Sequence, residues 1–548
     1  LSALVLLLPA AASAQPFGGP AGGGSDADTV ALSAMEAREI GPAAMSGRIG
    51  DVEGVRGTTD TIFVGAATGG VWKSVDGGTT WEPIFDDQPS ISIGELEVHP
   101  QNHDVIWVGT GEDNPRNSVG IGQGVFRSTD GGETWTDVGL ENSEHIAEIV
   151  AHPEKPEVAW VAATGPLWNG GEQRGVYRTT DGGETWERVL DPINDTSGAA
   201  DLAMDPDNPD KLIATMWQRR RWPHFFKSGG PGSAMYVSHD GGESWEQITE
   251  EDGLPEGPLG KINVAIAPSN PEIVYALVEA ENTALYRSED GGESWDAVNR
   301  SEGMADRPFY YNRVQVDPEN PNRVYHIAGD LRVSDDGGRS FRTLAGWNDG
   351  VHVDHHALWI DPSDPSYMVD SNDGGVYISR DRGGSWRFVE NLPLSQFYEI
   401  SVDDTVPYHV YGGLQDNGSW QGPAEAWEQN GLRNYQWTEV GFGDGFSAFR
   451  DPNDPRYGWT TSQGGSITRF DLKTGERRGI QPTPPADSIE LRYNWNAPIT
   501  VSPHDGNTIY QGAQYVYRST DDGMSWERIS PDLTTDSTAW QQQEITGG

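Results

Sequence analysis

The chain has 548 residues with 37 Lys+Arg against 84 Asp+Glu, a formal net charge of −47. That acidity excludes nucleic acid and anionic membrane as main partners, because both demand a basic footprint. There is no cysteine, which excludes disulfides, Cys-ligated metals and Cys nucleophiles.

Residues 1–14 (LSALVLLLPAAASA) form an apolar stretch ending in Ala12-Ser13-Ala14. This is the pattern of a secretory signal peptide and predicts a secreted or periplasmic protein. Residues 15–38 begin as a Gly/Pro-rich linker too poor in apolar groups to fold. No later apolar run reaches 18 residues, so no membrane span is expected. Only six of the cations are lysine. An acidic surface with arginine in place of lysine is a lever used by halophiles, so a salt-rich habitat is the expectation. Full stability at low ionic strength would count against it.

One phrase then recurs. It ends at Trp81, Trp135, Trp186, Trp245, Trp295, Phe341, Trp386 and Trp526, in forms such as STDGGETW. The usual interval is about 50 residues, the mark of propeller blades. An alternating apolar stretch broken by a Pro-x-x-Pro-like turn, as in IVAHPEKPEVAWVAA, keeps time with it. This second phrase continues through the long gap between Trp386 and Trp526, which gives ten units in all. Each unit reads as four short strands. The fold class is therefore all-β, a β-propeller of about ten four-stranded blades. In each phrase the Asp caps a hairpin turn, the glycines supply positive φ and the Trp buries apolar surface. Turn chemistry accounts for every position, so these acids are structural.

The phrase resembles the Asp-box, or BNR repeat, S-x-D-x-G-x-T-W. The resemblance covers nearly the whole chain and implies the propeller fold. Asp-box propellers include sialidases, two-ring xyloglucan-cleaving endoglucanases, sortilin-type receptor ectodomains and the photosystem II assembly propeller. GVWKSVDGGTTW, GTGEDNPRNSVGIGQGVFRSTDGG and YGGLQDNGSW also look like exported bacterial proteins of sortilin N-terminal-domain or glycosyl-hydrolase-like type. Units one to seven are regular. The pattern then changes, which predicts a seven-bladed ring over 39–390 and part of a second over 391–548. A single ten-bladed, sortilin-like ring is the alternative.

Function is expected at the channel mouth, on loops that depart from the repeat. Four stretches depart. The first carries Glu112, Asp113, Asn114, Arg116 and Asn117; it reads as a binding loop or a solvated one. The second, His352 to His356, sets His352, Asp354 and His356 on one face if it is a strand. That is imidazole and carboxylate chemistry suited to a divalent metal, or else a buried hydrogen-bonded cluster. No other cofactor is expected. The third comprises Asn372 and Asp373 in one blade, Gln415, Asp416 and Asn417 in the next, and Asp444 after that. Glycosidases use two carboxylates about the scissile bond, and Asp416 with Asp373 or Asp444 is the candidate pair. The fourth is the cluster Trp217, Arg219, Arg220, Arg221 and Trp222, able to take a carboxylate or stack on a sugar, or to pair with the protein's own acids.

The sortilin resemblance implies a binding module for a peptide, glycan or partner protein. The xyloglucanase resemblance implies a polysaccharide hydrolase. The sialidase reading fails, because the F/Y-R-I-P start is missing. The xyloglucanases also carry a catalytic Asp in a T-D-I-G-G phrase of an early blade. The matching stretch here, Ala66-Ala67-Thr68-Gly69-Gly70, has no acid.

Overall fold

The hairpins of the repeated phrase are built as their chemistry demands. In the second copy Ser128 Oγ accepts from Gly132 N at 2.9 Å and donates to Asp130 Oδ1 at 2.8 Å. Asp130 in turn accepts from the amide and hydroxyl of Thr134 at 2.9 and 2.6 Å. These bonds, Thr134 foremost, pull the Asp130 carboxyl down to about 2. Gly131 and Gly132 have φ of 74° and 93°, where a side chain would be strained. The Trp135 indole N–H reaches back to the Ile84 carbonyl at 2.6 Å, and Trp186 and Trp526 repeat that bond to Val138 and Ile480. Each of these turns thereby fastens its own blade to the one before.

The computed structural model describes residues 40–41, 45–116, 119–223, 225–429, 431–484, 486 and 489–537. The proposed signal peptide and linker, and Asn117, lie outside them. The chain divides into two units, Leu1–Ile40, described only at Ile40, and Gly41–Gly548. The described residues of the second unit form ten antiparallel sheets, spanning 49–83, 93–137, 146–190, 197–248, 262–299, 313–345, 355–388, 397–441, 448–479 and 499–528. These are blades 1 to 10. Each is a meander of four strands, and blade 4 adds a fifth, Phe225–Ser228, paired to the long strand Asn208–Trp222. The only helical pieces among the described residues are five short 3-10 turns. No helix there is long and apolar enough to cross a membrane.

Blade 7 closes on blade 1. Ile49, Val52, Ile62 and Val64 share one core with Trp359, Tyr367, Val369 and Ile378. Ser46 N donates to Gly374 O at 3.0 Å and Arg387 Nη2 to Gly77 O at 2.7 Å. The seven-bladed ring is thus complete, and the ten-bladed alternative does not hold. Blades 8 to 10 continue as an arc, joined by Tyr411, Val440, Ala448 and Phe470, then by Trp459, Ile467, Ile480 and Ile509. The innermost strand of blade 7, His355–Ile360, is buried throughout. Its counterpart in blade 8, Phe397–Val402, leaves Ile400 69% and Val402 63% exposed.

At the seam between blades 7 and 1 a Cβ on Gly54 would meet three atoms of the Trp359 ring at 2.6–2.7 Å. A rigid indole cannot give way, so Gly54→Val is expected to cost about 1–3 kcal/mol by overpacking. A lowered urea midpoint with an unchanged m-value is the expected readout, and an unchanged midpoint would mean the seam is loose.

Acids on the innermost strands latch neighbouring blades. Asp51 Oδ2 accepts from Leu96 N at 2.9 Å, Glu97 Oε1 from Ala151 N at 3.1 Å and Asp201 Oδ2 from Val264 N at 2.7 Å. Glu95 and Glu148 join Asp51 and Asp201 around Arg313, whose Nη1 lies 3.8 Å from Glu148 Oε2, and Glu53 adds its charge beside Glu97, Asp51 and Glu148. Burial raises all six carboxyls, Glu97 to about 8, and repulsion from neighbouring acids adds to it at Glu53, Glu95, Glu97 and Glu148. A raised carboxyl binds its proton more tightly in the folded state. Its stabilising contribution is complete below the ordinary value near 4.5 and is lost as pH rises through about 8. Buried histidines such as His145, lowered to about 3, oppose this below about 6.5. The test is therefore differential. Relative to the parent, Glu97→Gln should melt higher at pH 8.5 than at pH 5, and a difference that does not vary with pH would contradict the assignment.

Candidate functional site

Loops from blades 1, 2, 6, 7 and 8 converge at one mouth of the seven-bladed ring. Their centre is Asp373, in the turn of blade 7 and 1% exposed. The Tyr310 hydroxyl donates to Asp373 Oδ2 at 2.8 Å, and His356 Nε2 lies 2.7 Å from Oδ1. His356 Nδ1 faces the Asn114 amide nitrogen at 3.2 Å, so it accepts there and Nε2 carries the proton given to Asp373. Arg48 donates to the Tyr310 hydroxyl at 2.8 Å and pairs through Nε with Glu112 Oε1 at 2.7 Å. With its amide oriented to satisfy these neighbours, Gln415 accepts from Arg48 Nη1 at 2.9 Å and Arg116 Nη2 at 3.0 Å. Arg116 stacks on the Tyr310 ring at 4.6 Å. Burial pushes the Asp373 carboxyl up, but His356, Arg48 and Arg116 outweigh it and hold it below the usual carboxylate range. Burial carries Glu112 up to about 6 against the pull of Arg48.

Asp416 lies beside this network in the turn of blade 8, with a left-handed φ of 59°. Its amide donates to Asp444 Oδ1 at 2.8 Å, and the Asp444 amide donates to Gln463 Oε1 at 2.9 Å. Asn417 ties the turn to blade 7, its Nδ2 donating to Asp373 O at 2.9 Å and Gln415 O at 2.8 Å. Asp416 Oδ2 is buried with no hydrogen-bond partner. Burial first, then the charges of Asp373 and Asp444, push its carboxyl well above the usual range. Two neighbouring carboxyls are thus driven in opposite directions, the arrangement that separates a proton donor from a permanent anion.

The other predicted residues have different surroundings. The 112–116 loop is not solvated: Asp113 is buried against Arg219 at 3.0 Å, Lys261 at 3.3 Å and the Thr164 hydroxyl at 2.8 Å. Trp217 and Arg219 are likewise enclosed. Trp217 packs with Phe226, Phe309 and Tyr310 as the floor beneath the mouth, and its indole donates to Ser228 Oγ. Arg220 stacks on Trp222 at 4.8 Å. The arginine run thus serves the protein's own acids and aromatics, because the long strand carrying it passes under the 112–116 loop. Asn372 is fully buried and spends its amide on Asp370 Oδ2 and the Gly374 amide.

His352, Asp354 and His356 do not share a strand face. The strand begins at His355, and Asp354 takes a left-handed φ of 63°, which breaks the alternation. His352 bonds the Val353 carbonyl, His356 is committed to Asp373 and Asn114, and Asp354 faces Arg307 at 3.7 Å. Among the described residues no three His, Asp or Glu side chains form a metal-ligand group. Burial and the Asp373 charge raise Asp354 to about 6.

The sequence reading missed Arg48 and Tyr310. The only signal for Tyr310 was the aromatic insertion Phe309-Tyr310-Tyr311 between two regular blades. It also missed two exposed aromatics at the mouth. Trp347, 56% exposed, packs on His352 at 4.6 Å between ring centres, and Phe442, 79% exposed, stands two residues before Asp444.

Residues 123–252 match the Sortilin-Vps10 family pattern, described as sortilin, neurotensin receptor 3. An oligoxyloglucan-reducing end-specific xyloglucanase of Emericella nidulans is 23% identical over 228 residues, 35% of this chain and 26% of the relative. The chain is similar to the xyloglucanase propellers. An ancestral GH74 enzyme superposes with a TM-score of 0.61 at 16% identity, over 91% of this chain and 72% of that one. The GH74 xyloglucanase of Xanthomonas campestris gives 0.53, also at 16% identity, over 90% and 94%. At such identities the structural likeness is one of fold. The chain matches only about a quarter of the curated xyloglucanase's length.

Proposed function

We propose that this propeller is an exported glycoside hydrolase acting on a β-glucan-type polysaccharide such as xyloglucan, with Asp416 as general acid. The observation that carries the reading is the opposed acidity of two adjacent carboxyls, Asp416 raised and Asp373 lowered, at a loop-built mouth. Asp416 Oδ2 has no hydrogen-bond partner in the protein, so a proton held there is not committed to a neighbouring group. Asp373 keeps its negative charge next to it and sustains the raised acidity. Asp444 fixes the Asp416 backbone. The exposed rings of Trp347 and Phe442 offer platforms for the apolar faces of sugar rings. The likeness to xyloglucanases points to the same substrate class. The apolar stretch at residues 1–14 supports export to the periplasm or medium.

The test is the release of reducing ends from xyloglucan, mixed-linkage glucan and cellulose by the purified protein. Turnover on at least one supports the reading. Affinity for a glycan or peptide with no turnover on any would return the protein to a binding module.

A further inference from the structure

We propose that Asp354 is the second carboxylate of this site, the base that activates water opposite Asp416. The inference rests on the hydrolase reading and names the partner that reading lacks. Hydrolysis assisted by an acid needs a carboxylate that can reach a water molecule at the sugar carbon. Asp373 cannot serve, because its oxygens are taken by Tyr310 and His356 inside the protein. Asp444 is also buried, and its Oδ1 holds the Asp416 amide.

Asp354 differs from both. Its side chain is 19% exposed, and its nearest charged partner, Arg307 Nη1, is 3.7 Å away, beyond hydrogen-bond reach. Its backbone is nevertheless fixed. The Asp354 amide donates to Gly329 O at 2.9 Å, and the Asp373 amide donates to Asp354 O at 3.1 Å. The carbonyl of the same Asp373 receives Asn417 Nδ2, from the turn that carries Asp416. Asp354 and the Asp416 turn are therefore held against the two ends of one residue's backbone. Both aspartates adopt left-handed backbone, at φ 63° and 59°, a conformation that clusters at functional sites. Trp347 lies on the same loop as Asp354, so the loop that supplies the base also supplies an exposed ring for the substrate.

The reaction balances without another reagent. The protonated Asp416 carboxyl gives its proton to the glycosidic oxygen as the bond from that oxygen to the anomeric carbon breaks. The Asp354 carboxylate takes a proton from a water whose oxygen forms the new bond to that carbon from the opposite face. One water is consumed, two sugar ends are released, and the anomeric configuration inverts.

Asp354→Asn and Asp416→Asn, each in the full chain, separate the two roles. On xyloglucan both should lose about 10²–10⁴ in kcat. On an oligosaccharide glycoside of 2,4-dinitrophenol, whose leaving group needs no proton, Asp416→Asn should recover most of its activity and Asp354→Asn none. Added azide should restore turnover to Asp354→Gly, and proton NMR of the first product should show the inverted anomer. A melting temperature for Asp354→Asn equal to the parent's excludes misfolding as the cause. Xyloglucan turnover left intact in Asp354→Asn, or a retained anomer, overturns this inference while the hydrolase reading stands. A parent protein that releases no reducing ends overturns that reading, and this one with it.

Discussion

Asp416→Asn is expected to reduce kcat on the polysaccharide by about 10²–10⁴ while KM stays within a few-fold. Asparagine keeps the shape of the side chain and cannot give up a proton. The loss therefore falls on the transition state, where the leaving oxygen must be protonated, and leaves ground-state binding intact. The substitution should not unfold the site. The Asp416 amide stays on Asp444 Oδ1, and Oδ2 has no partner to lose. Removing a carboxyl pressed by Asp373 and Asp444 relieves repulsion, so the variant should melt no lower than the parent. In the parent, activity should fall at high pH as Asp416 ionises and can no longer donate. Undiminished kcat in the variant would remove Asp416 from the chemistry.

Arg48→Met should give the largest loss of stability at the site, about 3–5 kcal/mol, because it breaks a fully buried pair. Arg48 and Glu112 are both enclosed, at 0% and 1% side-chain exposure, so solvent does not screen their 2.7 Å contact. Methionine would strand the Glu112 carboxylate, already carried up to about 6 by burial, and it would leave the Tyr310 hydroxyl and the Gln415 oxygen each short of a donor. The broken bonds join segments far apart in the chain: the lead-in to blade 1, the insertion before blade 6 and the turn of blade 8. Denaturant unfolding measures the effect. Adding Glu112→Gln should return part of the loss by removing the stranded charge, which identifies the pair as its source. An Arg48→Met protein as stable as its parent would show that the network does not hold the mouth together.

The blades were legible in the sequence because their chemistry is local. Ser128, Asp130, Gly132 and Thr134 complete a hydrogen-bonded turn within seven residues, and any copy of the phrase carries the same instruction. The ring size was legible from where the phrase lapses after Trp386, which coincides with closure of blade 7 on blade 1. The residues that depart from the repeat, Asp373, Asp416, Asn417 and Asp444, are brought together by the structure as adjacent turns. What the sequence hid is long-range. Glu112 and Asp113 look like the acids of a solvated loop until Arg48, Arg219 and Lys261 arrive from other blades. The run at Arg219 looks like a surface patch until the strand carrying it passes beneath that loop. His352, Asp354 and His356 suggest a ligand face only if the backbone alternates, and a left-handed Asp354 prevents that. Burial and backbone handedness are settled by partners tens or hundreds of residues away, and pattern alone does not report them.

In the proposed hydrolase the fold drives the Asp416 and Asp373 carboxyls apart in acidity, so that Asp416 remains a proton donor. Following the carboxyl ¹³C shifts of the two side chains through a pH titration tests it directly, with Asp416→Asn and Asp373→Asn to assign the signals. The prediction is that Asp416 titrates well above the usual carboxylate range and Asp373 below it. Two carboxyls titrating together near 4, the ordinary value, would contradict the account.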